Sequence, residues 1–213
     1  MKIYNFLQHN EDGSPNSDWL KVRAGRITGS DFHQYMGLAK KDELSDTAES
    51  NLYKKVLESL GYSFESYRSS AMEDGNEHEP LARADYIAET FNDVHEVGFV
   101  DWEKLRAGCS PDGVMYGTDG QIEKIIEIKC PEIKNYLKMA KGKIPPVYMT
   151  QMQYNMLITG AKSCDFVVWH PDMRLSVQEI NADANYQKDI MTVLEKLNAR
   201  YDAILEEIKE FKR

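Results

Sequence analysis

Gly108–Pro131 reads GCSPDGVMYGTDGQIEKIIEIKCP, and its pattern of turns and charges decides the fold. Asp112-Gly113 opens one apolar run, Gly117–Gly120 supplies a turn, and Ile122 to Cys130 returns as a strand. The stretch predicts a β-hairpin with Asp112 at one end and Glu127-Ile128-Lys129 at the other. Successive strand side chains point to opposite faces, so Glu127 and Lys129 share one face while Ile126 and Ile128 share the other. A solvated strand can carry Glu-x-Lys without chemistry. Here the apolar alternate face predicts a buried strand that aims an acid and an amine into one small volume.

Around this hairpin the chain alternates helical and extended patterns. Ser17 or Asp18 can cap a short helix carrying Trp19, Leu20 and Val22, ended by Gly25. Thr28 or Ser30 can cap the next, and the polar residues 1–18 read as an entry loop. A helix is predicted over 46–60, capped by Asp46 with Glu49 completing a capping box. Another is predicted over 70–91, with Leu81, Ala84, Ala88 and Phe91 as its apolar face and Pro80 opening a fresh first turn at Glu79. Strands at 94–100, 107–115 and 122–130 precede a short basic helix with Lys134, Lys138, Lys141 and Lys143. A helix at 147–159, strands at 164–169 and 175–180, and a C-terminal helix from about Ala182 complete the chain. The last helix repeats apolar residues four and three apart from Ile190 to Phe211, a seam expected to pack on the domain's own sheet in preference to a subunit contact. This order predicts an α/β (α+β) fold, a mixed central sheet flanked by helices, in one domain spanning residues 1–213.

Composition narrows the function. The chain has 213 residues and a net charge of −9, which excludes coating nucleic acid through an all-round basic surface and leaves only local basic patches. Its three widely spaced cysteines, Cys109, Cys130 and Cys164, offer neither a disulfide framework nor a CxxC clip, and they read as reduced thiols. The five histidines include no HxxxH pair. No segment approaches the roughly 20 apolar residues that span a bilayer, so a cytoplasmic protein with no membrane partner is expected.

Phosphodiester hydrolysis needs an activated water and neutralisation of the charge developing on phosphorus, and hard divalent cations held by carboxylate oxygens supply both. Asp112 and Glu127 offer such oxygens, the Ile128 carbonyl lies beside them, and Glu79 can add another. Lys129 is suited either to orienting or deprotonating the water or to holding the phosphate. Lys21, Arg23 and Arg26 lie within six positions, as a solvated face or as phosphate contacts.

Pro111-Asp112 with Glu127-Ile128-Lys129 resembles the PD-(D/E)xK nuclease core, the restriction-endonuclease-like fold. The surrounding text is more specific. Trp19…Arg23…Ile27-Thr28-x-Ser30, Gly75-x-x-x-Glu79, Cys109-Ser110-Pro111-Asp112-Gly113, Glu127-x-Lys129-Cys130-Pro131 and Tyr148-Met149-x-Gln151-x-Gln153-Tyr154 together resemble the phage λ exonuclease family, the YqaJ-type viral recombinases. The resemblance spans about Trp19 to Pro171. It implies a 5′→3′ exonuclease that digests one strand of linear duplex DNA and leaves a 3′ overhang for recombination. It implies Mg²⁺, with Mn²⁺ as a substitute, on Glu79, Asp112, Glu127 and the Ile128 carbonyl, with Lys129 as the catalytic lysine. Arg23 matches an arginine for the 5′-terminal phosphate, with Ser30 and Ser110 as neighbouring hydroxyls and Tyr148 and Gln151 on the active-site helix. A ring of subunits, commonly a trimer, a single-strand annealing partner and a phage or prophage origin in a bacterial host are implied in the same way. Arg26 has no match and reads as a surface or DNA-backbone charge. The alternative is a structure-specific or restriction-like endonuclease on the same core, since the core sets the chemistry and not where it cuts.

Overall fold

The computed structural model describes residues 1–10, 13–64 and 70–211, with only the backbone of 70–77. Strand β1 (Lys2–Tyr4) begins the chain, followed by helix α1 (Ser17–Arg23), strand β2 (Ile27–Thr28) and helix α2 (Gly29–Phe32), which runs into a 3₁₀ segment, His33–Ala39. Helices α3 (Asp46–Ser59) and α4 (Ser70–Thr90) lead to strands β3 (Phe99–Trp102) and β4 (Ala107–Cys109). The hairpin strands β5 (Gly113–Tyr116) and β6 (Ile122–Lys129) come next, then helices α5 (Ile133–Met139) and α6 (Pro146–Thr159). Strands β7 (Ser163–Val168) and β8 (Ser176–Asn181) and the long helix α7 (Ala184–Phe211) close the fold.

The strands form two mixed sheets, ordered β1-β3-β4-β2 and β5-β6-β7-β8. In the second, β6 runs parallel to β7, with Glu127 opposite Phe166 and Lys129 opposite Val168, while both outer pairs are antiparallel. The chain changes sheets at Ser110-Pro111-Asp112, between β4 and β5. That crossover explains why 107–115, read as one interrupted strand, is two: proline has no N–H to give a ladder.

Strand β6 is covered on both faces. Ile125 belongs to the main core with Cys164 and Phe166, whereas Ile126 and Ile128 pack with Ala82, Tyr86, Val167 and Trp169 beneath α4. Each fully buried isoleucine contributes about 1.5–3 kcal/mol. Such a strand has little freedom to slip, because a one-residue shift would exchange its two faces.

Several expectations change. The N-terminal residues are not wholly a loop: β1 pairs with β3, Lys2 opposite Asp101. Asn16, rather than Ser17 or Asp18, caps α1, its side chain accepting from the Asp18 N–H at 2.9 Å. Ser45 rather than Asp46 caps α3. Glu49 accepts from Arg200 Nε of α7 at 2.8 Å. The strand expected at 94–100 starts only at Phe99, and upstream of it His95 instead exchanges backbone hydrogen bonds with Val114 of β5, each at 2.9 Å.

Helix α4 is continuous through Pro80, and among its described side chains Ala82 and Tyr86 are the buried ones. Leu81 is 55% and Phe91 90% exposed, so the expected apolar face points outward. The sheet-facing side carries Glu79, Ala82, Arg83 and Tyr86, a face in which charged residues interrupt the apolar ones and which apolar periodicity cannot register. The α7 seam does pack inward from Ile190 to Ile204, chiefly against α3, α6 and the 3₁₀ segment rather than on a sheet, and Phe211 remains exposed. No helix among the described residues is long and apolar enough to cross a membrane.

Candidate active site

The pairing register builds the first half of the site. Gly113 faces Ile126, so Ile128 lies beyond the end of β5. There its N–H donates to Asp112 Oδ2 at 2.6 Å in place of a strand carbonyl. Glu127, fully buried, accepts from Lys129 Nζ at 2.5 Å on Oε1 and from Asn155 Nδ2 at 3.2 Å on Oε2. Lys129 Nζ stands 5.2 Å from the centre of the Tyr148 ring on α6.

Helix α4 brings Glu79 to this group through Arg83, one turn along. The Arg83 guanidinium donates to Glu79 Oε1 at 2.5 Å and to the Asp112 carbonyl at 2.8 Å, and it pairs with Glu96 at 2.9 Å. One planar side chain thus ties α4 to the sheet crossover.

The second half is a cationic pocket on α1, β2 and α2. Arg23 is half-buried, with its guanidinium 5.0 Å from the Trp19 ring centre and donating to Thr28 Oγ1 at 3.3 Å and Ser30 Oγ at 3.4 Å. Among the described residues no carboxylate pairs with it. The Trp19 indole N–H reaches Ser110 Oγ at 3.0 Å, and Ser110 donates onward to the Gly98 carbonyl at 2.7 Å. The pocket is therefore built onto the crossover, two residues before Asp112. Arg26 is the opposite case: it grips the buried Asp101 with two bonds, at 2.8 and 3.0 Å. Its expected role as a surface or DNA-backbone charge gives way to a structural ion pair, since Asp101 on β3 faces inward and must be neutralised.

Residues 18–162 match the YqaJ-like viral recombinase domain. The chain belongs to this family. The YqaJ-like chain is also similar to solved structures of LHK-Exo, an alkaline exonuclease from Laribacter hongkongensis. One of them, in complex with dAMP, is 29% identical with a TM-score of 0.78, over 92% of this chain and 97% of that one. Another is 28% identical with a TM-score of 0.73, over 92% of this chain and 100% of that one. A phage-related exonuclease from Haemophilus somnus 129PT, 19% identical over 86% of this chain and 96% of that one with a TM-score of 0.65, shares the fold. No curated relative matches.

Within this YqaJ-like site the acids are held against their own repulsion. Burial pushes Glu79 up to about 8, with Asp112 adding to the rise and Arg83 and Lys129 opposing it. Burial also pushes Glu127 up to about 7, against the pull of Lys129. Asp112 is raised by burial in spite of Lys129 and the Ile128 N–H. Burial would lower Lys129, but Glu127 and Asp112 hold it above the ordinary lysine value. Cys130, half-buried next to Lys129, is pushed up to about 11 by burial, with the charges of Glu79 and Asp112 adding to it.

Among the described residues, no three His, Cys, Asp or Glu side chains stand close enough to enclose a metal ion. The donor set nevertheless fits a hard divalent cation. It offers hard carboxylate oxygens whose protonated forms are favoured by burial and mutual repulsion, a cost that a cation relieves.

Asn155 and Arg83 were not singled out from sequence. Asn155 lies four residues after Gln151 and seven after Tyr148, on the same face of α6, and a helical-face reading of those two would have found it. Its Oδ1 is buried without a hydrogen bond, against Gly29 of α2. Arg83 follows Glu79 by four residues, the spacing of a helical ion pair. Gln151 is half-buried with no hydrogen bond among the described residues. The His78 ring lies 5.4 Å from Trp169. Gly75 and Glu77 have no described side-chain surroundings.

Proposed function

We propose that this chain is a divalent-metal-dependent exodeoxyribonuclease that digests one strand of linear duplex DNA 5′→3′ from a 5′-phosphorylated end. The overhang it leaves serves recombination by strand annealing. The observation that carries this reading is the construction of two charge-complementary half-sites on one crossover. Ser110 serves the unpaired Arg23 pocket, and Asp112, two residues on, serves the acid–lysine group. Membership of the YqaJ-like family and the likeness to LHK-Exo support it.

Glu79, Asp112, Glu127 and the Ile128 carbonyl would hold the metal, Mg²⁺ or Mn²⁺. Once bound, the metal lowers the pKa of a water and neutralises charge on the scissile phosphate. Arg23 receives the terminal phosphate: a guanidinium offers paired donors to a dianion, and Thr28 and Ser30 add hydroxyls. Trp19 and Ser110 fix the pocket's wall. Lys129, held charged beside Glu127, is placed to orient the attacking water or hold the phosphate. Tyr148 covers the lysine, and Gln151 lines the same helix. Asn155 locks the second oxygen of Glu127 and so its rotamer.

The same reading carries a ring of subunits, a trimer, a single-strand annealing partner and work on a phage or prophage genome in a bacterial cytoplasm. The exposed apolar side of α4, with Leu81 and Phe91, supplies surface for subunit contact.

The test is digestion of a linear duplex with and without a 5′ phosphate, in Mg²⁺ or chelator. Loss of the phosphorylated strand from its 5′ end should be abolished by chelation, and Lys129→Ala or Asp112→Ala should lower the rate by about 10³-fold or more. Undiminished cutting by Lys129→Ala removes the assigned centre. Cutting of a covalently closed circle replaces the exonuclease with an endonuclease on this core.

A further inference from the structure

The segment from Cys130 to Val147 is an excursion with both ends rooted at the hydrolytic group. It leaves one residue after Lys129 and returns one residue before Tyr148, whose ring lies beneath the Lys129 ammonium. Its buried side chains, Tyr136 and Met139, anchor one side of α5 to the core. Lys134 and Lys138, one turn apart on the opposite side, and Lys141 in the following turn are exposed, as is Lys143. None of these four lysines pairs with a carboxylate among the described residues. Lys2, Lys40, Lys41, Lys54, Lys104 and Lys188 share that property, but they stand singly or as one adjacent pair elsewhere in the chain, whereas these four fall within ten positions. The excursion holds one acid, Glu132, in a chain whose net charge is −9.

A second strip of chain is fastened alongside. The Tyr136 hydroxyl donates to the Arg174 carbonyl at 2.6 Å and Gln178 Nε2 donates to the Met139 carbonyl at 2.8 Å. Arg174 is thereby held next to α5, exposed and likewise without a carboxylate. Between the two strips runs a groove of about 580 Å³ lined by Leu137, Lys141, Arg174 and Val177.

We propose that this lysine-bearing excursion, with Arg174, is the surface along which the phosphate backbone of bound duplex DNA runs beyond the scissile nucleotide. The proposal rests on the nuclease reading and adds to it the location of the duplex. An acidic protein repels DNA over most of its surface, so its binding must come from a local concentration of uncompensated cations. The excursion and Arg174 together hold five such cations, and both ends of the excursion adjoin Lys129 and Tyr148. Lys134 follows Lys129 by five residue steps, at most roughly 18 Å of extended chain. That distance corresponds to about five nucleotides at 3.4 Å per strand step. Each lysine that meets a phosphate releases counterions, and that release is measurable as a salt dependence.

The experiment compares the intact protein with Lys134→Gln/Lys138→Gln/Lys141→Gln, measuring the Kd for a short 5′-phosphorylated linear duplex in chelator over a range of salt. Each phosphate contact contributes about 0.9 to the slope of log K against log salt. Three lost contacts should therefore flatten the slope by about 2.7. Turnover at saturating DNA in Mg²⁺ should stay near wild type. Adding Arg174→Gln should flatten the slope further. A triple variant with a wild-type slope, in a protein that still digests DNA, overturns the assignment. Equal flattening by Lys54→Gln/Lys188→Gln/Lys209→Gln, a matched loss of charge on α3 and α7, overturns it as well. Failure of the wild-type protein to digest DNA at all is a separate result, and it strikes the nuclease reading instead.

Discussion

The acid–lysine group and the Arg23 pocket bury charge in opposite ways. Around the hairpin, carboxylates crowd each other and need more positive charge than Lys129 and Arg83 supply. In the pocket, a guanidinium whose pKa burial lowers contacts hydroxyls and an indole among the described residues, with Asp31 and Glu58 acting on it without forming an ion pair, and it needs an anion. Each half-site lacks a counter-charge: a cation on one side, an anion on the other. Arg26 shows what completion looks like when the protein supplies it, with both bonds going to one buried aspartate. Burial of a charge alone therefore does not mark a binding residue; the missing counter-charge does.

Exchanging the two arginines for alanine gives the widest separation. Arg26→Ala leaves Asp101 buried and unpaired, so stability should fall by about 3 kcal/mol, read as a lower midpoint in denaturant. Arg23→Ala should leave that midpoint near wild type and lose about 100-fold in kcat/KM, confined to 5′-phosphorylated ends. If both variants lose stability alike, Arg23 is structural and the contrast collapses.

A smaller effect tests the link between the halves. A Cβ on Gly29 would stand 2.3 Å from Asn155 Oδ1 and 3.0 Å from Tyr154 Cδ1. Gly29→Ala must therefore push Asn155 off Glu127, and Asn155→Ala removes the same bond directly. Both should lower activity by about 10- to 100-fold, the range for groups that orient a metal ligand. Their combination should cost no more than either alone, and additive losses in the double variant would show that they act separately.

The smallest effect is on pH. Glu79 and Glu127 sit near 8 and 7 in the folded chain, above their unfolded values near 4.5, so the folded state holds more protons between those limits. Stability of the chelated protein should therefore decline as pH rises from about 5 to 8. Added divalent cation should offset the decline, and thermal melts across that range with and without metal read it directly. A chelated protein whose stability rises over the same interval contradicts the buried-acid picture.

The hairpin was legible because strand alternation, a glycine turn and a proline before the acid each leave a local signature. Arg23 was distinguishable from Arg26 only by resemblance, since Asp101 lies 75 residues away and no spacing announces the pair. The side of α4 that faces the sheet eluded apolar periodicity because Arg83 and Tyr86 occupy it. Tyr86 is nonetheless fully buried, with its hydroxyl on Asp165 Oδ2 at 2.5 Å. β1 and β2 are too short to show a pattern, and both exist through partners far along the chain.

That last feature also bears on how the molecule assembles. The sheet β5-β6-β7-β8 joins strands in chain order, whereas β2 meets β4 only after some 80 intervening residues and β1 meets β3 after more. Closing long loops late is the entropically slower route. A folding chain is therefore expected to complete the β5–β6 hairpin before the sheet that abuts the Arg23 pocket, whose edges are the two short strands β1 and β2.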